Sequence, residues 1–241
     1  MGTPYVGTSG YVYRDWRGRF YPQSLPQREW LGFYAERFDT VEINATFYGR
    51  FSRGVFERWG ESTPERFRFA LKGPRLITHV RRLREVEAPL EAFLFGARGL
   101  GSKLGVVLWQ FPASMRADEE HVERLAAFCR LLPRGLRYAF EFRHDSWLAE
   151  GALEPLRALE ASLVLNDSPH LPSWRIEMGG FTYIRMHGPG ELYASRYTEE
   201  QLRSWADWIR ERLRERDVYV YFNNDVRAYA VENAATLRGL L

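Results

Sequence analysis

The sequence predicts a closed (β/α)8 barrel, a TIM-like fold in a single domain over residues 1–241, and three observations predict it. Eight short β-rich segments alternate with longer helical patterns. Several of those segments are apolar without strict alternation, as parallel strands covered on both faces are. The chain has 241 residues, close to the roughly 250 typical of such barrels. An open doubly wound sheet is the alternative, disfavoured because no G-x-G-x-x-G follows the first strand.

The strands are read at residues 5–7, 40–43, 67–71, 104–108, 137–140, 162–165, 181–185 and 218–222. Helices are read at 28–38, 118–132, 146–160 and 198–215, where apolar residues recur every three or four positions. Asp118 stands at an N-cap position, and Thr198 with Gln201 forms a capping-box pattern. Residues 167–180 hold Pro169, Pro172 and two glycines, so the sixth helix is expected to be irregular or missing.

Composition excludes several classes. A net charge of +3 falls far short of the basic stripe of a nucleic-acid scaffold. Cys129 is the single cysteine, so no internal disulfide and no disulfide-linked partner is expected, and its apolar helical setting suits a buried structural thiol. No stretch reaches the roughly 18 apolar residues of a membrane span, and the first residues lack a signal-peptide pattern. A cytoplasmic location is the default expectation. Aromatics are abundant at 15%, enough to serve both a core and a pocket.

In barrels of this kind chemistry gathers where each strand runs into its following loop. Those positions are polar on all eight strands: Ser9; Glu42 and Asn44, with Tyr48 beyond; Lys72; Gln110; Glu141, Arg143 and His144; Asn166 and Asp167; Arg185 and His187; Asn223, Asn224 and Asp225. Charged side chains beside buried strands are costly unless paired. With period two, Glu141 and Arg143 share a face. They are either a structural pair closing the mouth or a catalytic carboxylate steadied by a guanidinium.

Candidate proton carriers are Glu42, Glu141 and His187. Candidate substrate contacts are Asn44, Tyr48, Lys72, Gln110, Arg143, His144, Asp167, Arg185, Asn223, Asn224 and Asp225. Lys72 suits a phosphate or carboxylate contact better than a Schiff base. Glu42, Glu141, Asp167 and His187 together offer oxygen and imidazole ligands for a divalent metal, although none stands at a diagnostic metal spacing. Arg14, Arg17, Lys72, Arg75, Arg143 and Arg185 are interleaved with Tyr11, Tyr13, Trp16, Phe47, Tyr48 and Trp109, a mixture that suits phosphate contacts with stacking on a base or a sugar.

Gly7-Thr8-Ser9-Gly10 with Tyr13, Trp16, Gly18 and Phe20-Tyr21-Pro22 resembles the opening of the YecE-like family, a domain of unknown function. The resemblance continues in order through Thr40-Val41-Glu42-Ile43-Asn44, Thr46-Phe47-Tyr48, Phe69-Ala70-Leu71-Lys72 and Ile77-Thr78-His79. Glu141-Phe142-Arg143-His144, Ser146-Trp147, His187-Gly188 and Tyr221-Phe222-Asn223-Asn224-Asp225 complete it. It implies a TIM-barrel-like fold and brings no reaction.

Three functions fit these residues. One is an enzyme acting on a phosphate-bearing substrate, a nucleotide or nucleic acid, by hydrolytic or acid/base chemistry. Another is a non-catalytic nucleic-acid or phosphometabolite binder. The last is a sugar-processing barrel with Glu42 and Glu141 as paired carboxylates.

Overall fold

A computed structural model describes the whole chain, Met1–Leu241. All eight expected strands are present: β1 (Pro4–Thr8), β2 (Thr40–Ile43), β3 (Arg68–Lys72), β4 (Leu104–Gln110), β5 (Arg137–Glu141), β6 (Ser162–Asp167), β7 (Phe181–Met186) and β8 (Asp217–Phe222). Each pairs in parallel with its sequence neighbour, and β1 pairs with β8. Between β1 and β2 the ladder narrows to a bridge of Ser9 with Glu42, where the Gly10 N–H donates to the Glu42 carbonyl at 2.7 Å. The barrel is nearly closed. Gly7 permits that approach, because a Cβ there would lie 2.1 Å from the Thr40 carbonyl oxygen.

The helices are α1 (Trp30–Ala35), α2 (Ala45–Tyr48), α3 (Arg53–Glu61), α4 (Glu87–Ala97), α5 (Glu119–Leu131), α6 (Glu154–Ala158), α7 (Glu199–Arg212) and α8 (Tyr229–Leu240). Asp118 caps α5 through the His121 N–H, and Thr198 with Gln201 closes a reciprocal capping box on α7. No helix joins β6 to β7, as Pro169 and Pro172 dictate. The helix read at 146–160 is broken: Gly151 adopts φ +79° and Pro155 opens the short α6 instead. The pattern reading passed over the single-turn α2 as well as α3, α4 and α8. Both α4 and α8 are apolar or small-residue around much of their circumference, so neither shows a clean amphipathic stripe.

Period two along each strand sorts the core into layers. Ala70, Leu108, Ala139, Val164, Tyr183 and Tyr221 form part of an inner cluster within the barrel. Their strand neighbours Phe69, Leu71, Val107, Trp109, Phe140 and Leu163 pack outward under the helices. Two residues further along each strand, the inner face changes from apolar to polar. Lys72, Gln110, Glu141, Asn166, Arg185 and Asn223 stand there, with Glu42 on β2 and Ser9 just past β1 completing the ring. Cys129 is buried in the outer core, and burial pushes its thiol up to about 12, as a structural cysteine requires.

Candidate functional site

The polar ring is organised by one arginine. Arg185, almost fully buried, donates from Nε and Nη2 to the two oxygens of Glu42 at 3.0 and 2.7 Å, and from Nη1 to Glu141 at 2.8 Å. Arg143 Nε donates to the other Glu141 oxygen at 2.8 Å. The face shared by Glu141 and Arg143 is therefore a direct ion pair. Ser9 Oγ and the Tyr183 hydroxyl also donate to Glu42, at 2.8 and 2.7 Å. Every carboxylate oxygen in this chain of charges is occupied, and both glutamates are fully buried. Burial alone would disfavour ionised Glu141, but the Arg185 and Arg143 guanidiniums overcome it and hold the carboxyl well below its usual range.

His187 lies beside this chain, fully buried. Its Nε2 faces Asn166 Oδ1 at 3.0 Å and its Nδ1 faces the Asn223 amide nitrogen at 3.1 Å. Those partners select the neutral tautomer with the proton on Nε2. Burial, reinforced by the Arg185 charge, lowers the imidazole to about 3.

Above the ring opens a cleft of about 660 Å³, lined by Tyr13, Asp15, Asn44, Tyr48, Lys72, Arg143, Arg185, Tyr193, Asn223, Asp225 and Val226. That volume suits a small ligand. The Lys72 ammonium sits over the Phe47 ring, 4.3 Å from its centroid, and makes no ion pair or hydrogen bond within the chain. Burial, with Arg185 adding to it, lowers Lys72 to about 8. Three cations (Lys72, Arg143 and Arg185) meet the two buried glutamates here, with Asp15 and Asp225 on the cleft wall. Asn44 Oδ1 and Asp225 Oδ1 are buried with no hydrogen-bond partner in the protein. Burial pushes Asp225 up to about 8, and the Glu42 charge adds to the effect.

Of the residues singled out from the sequence, Glu42, Asn44, Tyr48, Lys72, Glu141, Arg143, Arg185, His187, Asn223 and Asp225 come together at this mouth. Others do not. Gln110 turns to the Phe111 carbonyl at 2.7 Å and lies 3.5 Å from His79. His144 caps the turn at Ser146, whose N–H donates to its Nδ1 at 3.1 Å. Asn224 ties the Ser195 carbonyl to Asn233 of α8, a bracing role. Asp167 faces a separate cleft and accepts from Trp205 Nε1 at 3.1 Å. The metal set of Glu42, Glu141, Asp167 and His187 is thus not assembled, and no group of three or more His, Cys, Asp or Glu converges anywhere. Within the basic and aromatic set, Trp16 and Trp109 are core, and Arg17 lies over Trp30 away from the cleft.

Sequence reasoning undervalued Tyr183, Asn166 and Tyr193. The first two are recoverable, since Tyr183 precedes Arg185 by one period and Asn166 pairs with Arg185 in the β6–β7 register. Tyr193 reaches the cleft from the long loop after β7, where no periodicity operates.

Fold and site together define a TIM-like barrel with a buried glutamate–arginine chain at the C-terminal ends of its strands. The model for the protein of unknown function DUF72 matches residues 5–241, and the chain belongs to that family. It is 26% identical over 270 aligned positions to the UPF0759 protein YunF of Bacillus subtilis, covering 98% of this chain and 94% of YunF. It is 34% identical to the UPF0759 protein YecE of Escherichia coli over 121 residues, half of this chain and 44% of YecE. A crystal structure of a DUF72 family protein from Thermotoga maritima superposes with a TM-score of 0.88 at 32% identity, covering 98% of both chains. One from Enterococcus faecalis reaches 0.85 at 21% identity over 99% of this chain and 95% of that one, a likeness of fold. None of the helices is long and apolar enough to cross a membrane.

Proposed function

We propose that the mouth cleft is the active site of an enzyme acting on a small phosphate-bearing molecule by hydrolysis. The observation that carries this reading is Lys72, an ammonium in no direct ion pair or hydrogen bond, in a ligand-sized cleft beside Arg143. Arg143 uses only Nε on Glu141, leaving both Nη groups for a bidentate oxyanion contact. Arg185, already divided between two carboxylates, sets the local field and the position of Glu141.

In this reading Glu42, Glu141 and His187 are supports rather than proton carriers. Each Glu42 oxygen already accepts two hydrogen bonds and has no site free for a proton, and Glu141, held ionised well below its usual range by Arg185 and Arg143, is a weak base. His187, held neutral between two asparagines, orients Asn223 at the cleft. The paired-carboxylate reading of a sugar hydrolase is disfavoured because one carboxyl must carry a proton as the acid, whereas Glu141 is held ionised and both Glu42 oxygens accept two hydrogen bonds each. A compact cleft and a net charge of +3 favour a small molecule over a polymer.

The test is release of inorganic phosphate from a panel of phosphate monoesters, with binding of each ester followed in parallel. The reading expects turnover that falls at least tenfold in Lys72→Met and in Arg143→Met, both folded by circular dichroism. Salt-dependent binding weakened by the same variants, without turnover, would select the non-catalytic binder. Absence of both binding and turnover would overturn the anion site itself.

A further inference from the structure

Barrel topology orders the polar groups around the mouth. Lys72 ends β3, beside the β2 strand that Asn44 follows; Arg143 follows β5 and Arg185 stands on β7. Asn44 follows β2, Tyr13 follows β1 and Asp225 follows β8, three consecutive strands around the barrel. In an eight-stranded barrel β1 lies across from β5, so the flank of Tyr13 and Asp225 faces that of Arg143.

The flank of Asn44 and Asp225 carries unmet hydrogen-bonding capacity. Asn44 Oδ1 and Asp225 Oδ1 are buried and unpartnered. Native proteins keep few such groups, because a buried polar atom without a partner has lost its hydration and gained nothing in return. Tyr13 lies beside Asp225, but its hydroxyl proton goes to the Ser9 carbonyl at 2.5 Å, so Tyr13 has none to give Asp225 Oδ1. Two unmet polar atoms in one ligand-sized cleft point to a ligand that supplies their partners.

From this geometry we infer that the substrate is a phosphate ester of a polyhydroxylated compound, a sugar phosphate or a close relative. Its phosphate lies against Lys72 and Arg143, and its hydroxyls lie against Asn44 and Asp225. The inference rests on the anion site proposed above and adds the second half of the ligand. A hydroxyl suits this flank because Asp225, held largely protonated near neutrality, both donates and accepts, and the Asn44 amide oxygen accepts. An apolar group would leave both oxygens unmet.

Calorimetric titration of the full-length chain with inorganic phosphate, ribose 5-phosphate and ribose tests it. The expected result is ribose 5-phosphate binding at least tenfold more tightly than phosphate. Asn44→Ala and Asp225→Ala should each erode that preference several-fold while leaving phosphate affinity nearly unchanged. Lys72→Met should weaken phosphate and the ester alike. Equal affinity for phosphate and the ester in the wild type would overturn the inference and leave the anion site standing. So would a preference that survives both Asn44→Ala and Asp225→Ala. No binding of phosphate or ester would sink both readings together.

Discussion

The two ends of this barrel are built from similar residues and finished in opposite ways. At the N-terminal end Arg137 donates to Asp217 at 2.6 Å and to the Tyr219 hydroxyl at 3.1 Å. The other Asp217 oxygen accepts from the Thr3 N–H at 2.8 Å. Tyr5 stacks on Tyr219 with centroids 4.5 Å apart, and Phe181 meets the same ring edge-on at 5.7 Å. That end is closed. At the C-terminal end the ionic chain is equally well bonded, yet Lys72, Asn44 and Asp225 above it are left without partners. All four buried unpartnered polar atoms of the molecule (on Asn44, Trp109, Asn224 and Asp225) lie at or just beyond the C-terminal ends of strands. Two of the four, on Asn44 and Asp225, belong to residues that line the mouth cleft, and those two are the ones a ligand could partner; Trp109 lies in the outer core and Asn224 braces α8.

The sharpest way to break this comparison is to remove its central cation. Arg185→Met leaves Glu42 and Glu141 buried together without their shared guanidinium. A buried charge stripped of its partner costs about 3–5 kcal/mol. Urea unfolding should show a loss of that order, and a loss below about 1 kcal/mol would mean that the chain contributes little to the mouth.

The next effect is a change of slope with pH at Asp225, a group faced by Tyr13, Asp15, Glu42, Lys72 and Arg185. Its folded value of about 8 lies above the ordinary aspartate value of roughly 4. Between those limits the folded state holds a proton that the unfolded state has released. The contribution of Asp225 to stability is therefore full below about pH 4 and declines as pH rises towards 8. Asp225→Asn removes that decline. Its urea midpoint relative to wild type should be higher at pH 8 than at pH 5, and an unchanged difference would show that the carboxyl is not held protonated.

The smallest effect is expected at the closed end. The Arg137 side chain is 45% exposed, and Asp217 keeps its bond from the Thr3 N–H when the arginine is gone. Arg137→Met should lower stability by about 1 kcal/mol or less and leave ligand binding at the mouth unchanged. A change in affinity there would mean that the two ends are coupled through the barrel core.

Strand order and the bare place between β6 and β7 were legible because each depends on local chemistry. A parallel strand covered on both faces reads as an apolar run, and proline forbids the sixth helix wherever the chain later packs. The helix at 146–160 was misread because a spacing pattern gives Gly151 and Pro155 too little weight. At the site, Glu141 and Arg143 could be joined from period two alone, since both stand on one continuous segment.

The sequence by itself determined the barrel, its polar C-terminal ring and the residue types in that ring. Only the tertiary structure decided which carboxylates are tied up and which cation is free. Glu42 and Arg185 stand 143 positions apart in the chain, and closure of the barrel brings them within 2.7 Å. The same closure separates Asp167 from Glu42, Glu141 and His187 by turning it towards Trp205 on α7. Pairing across a barrel depends on strand order and register, which place distant positions on one inner layer, and no local pattern encodes that distance.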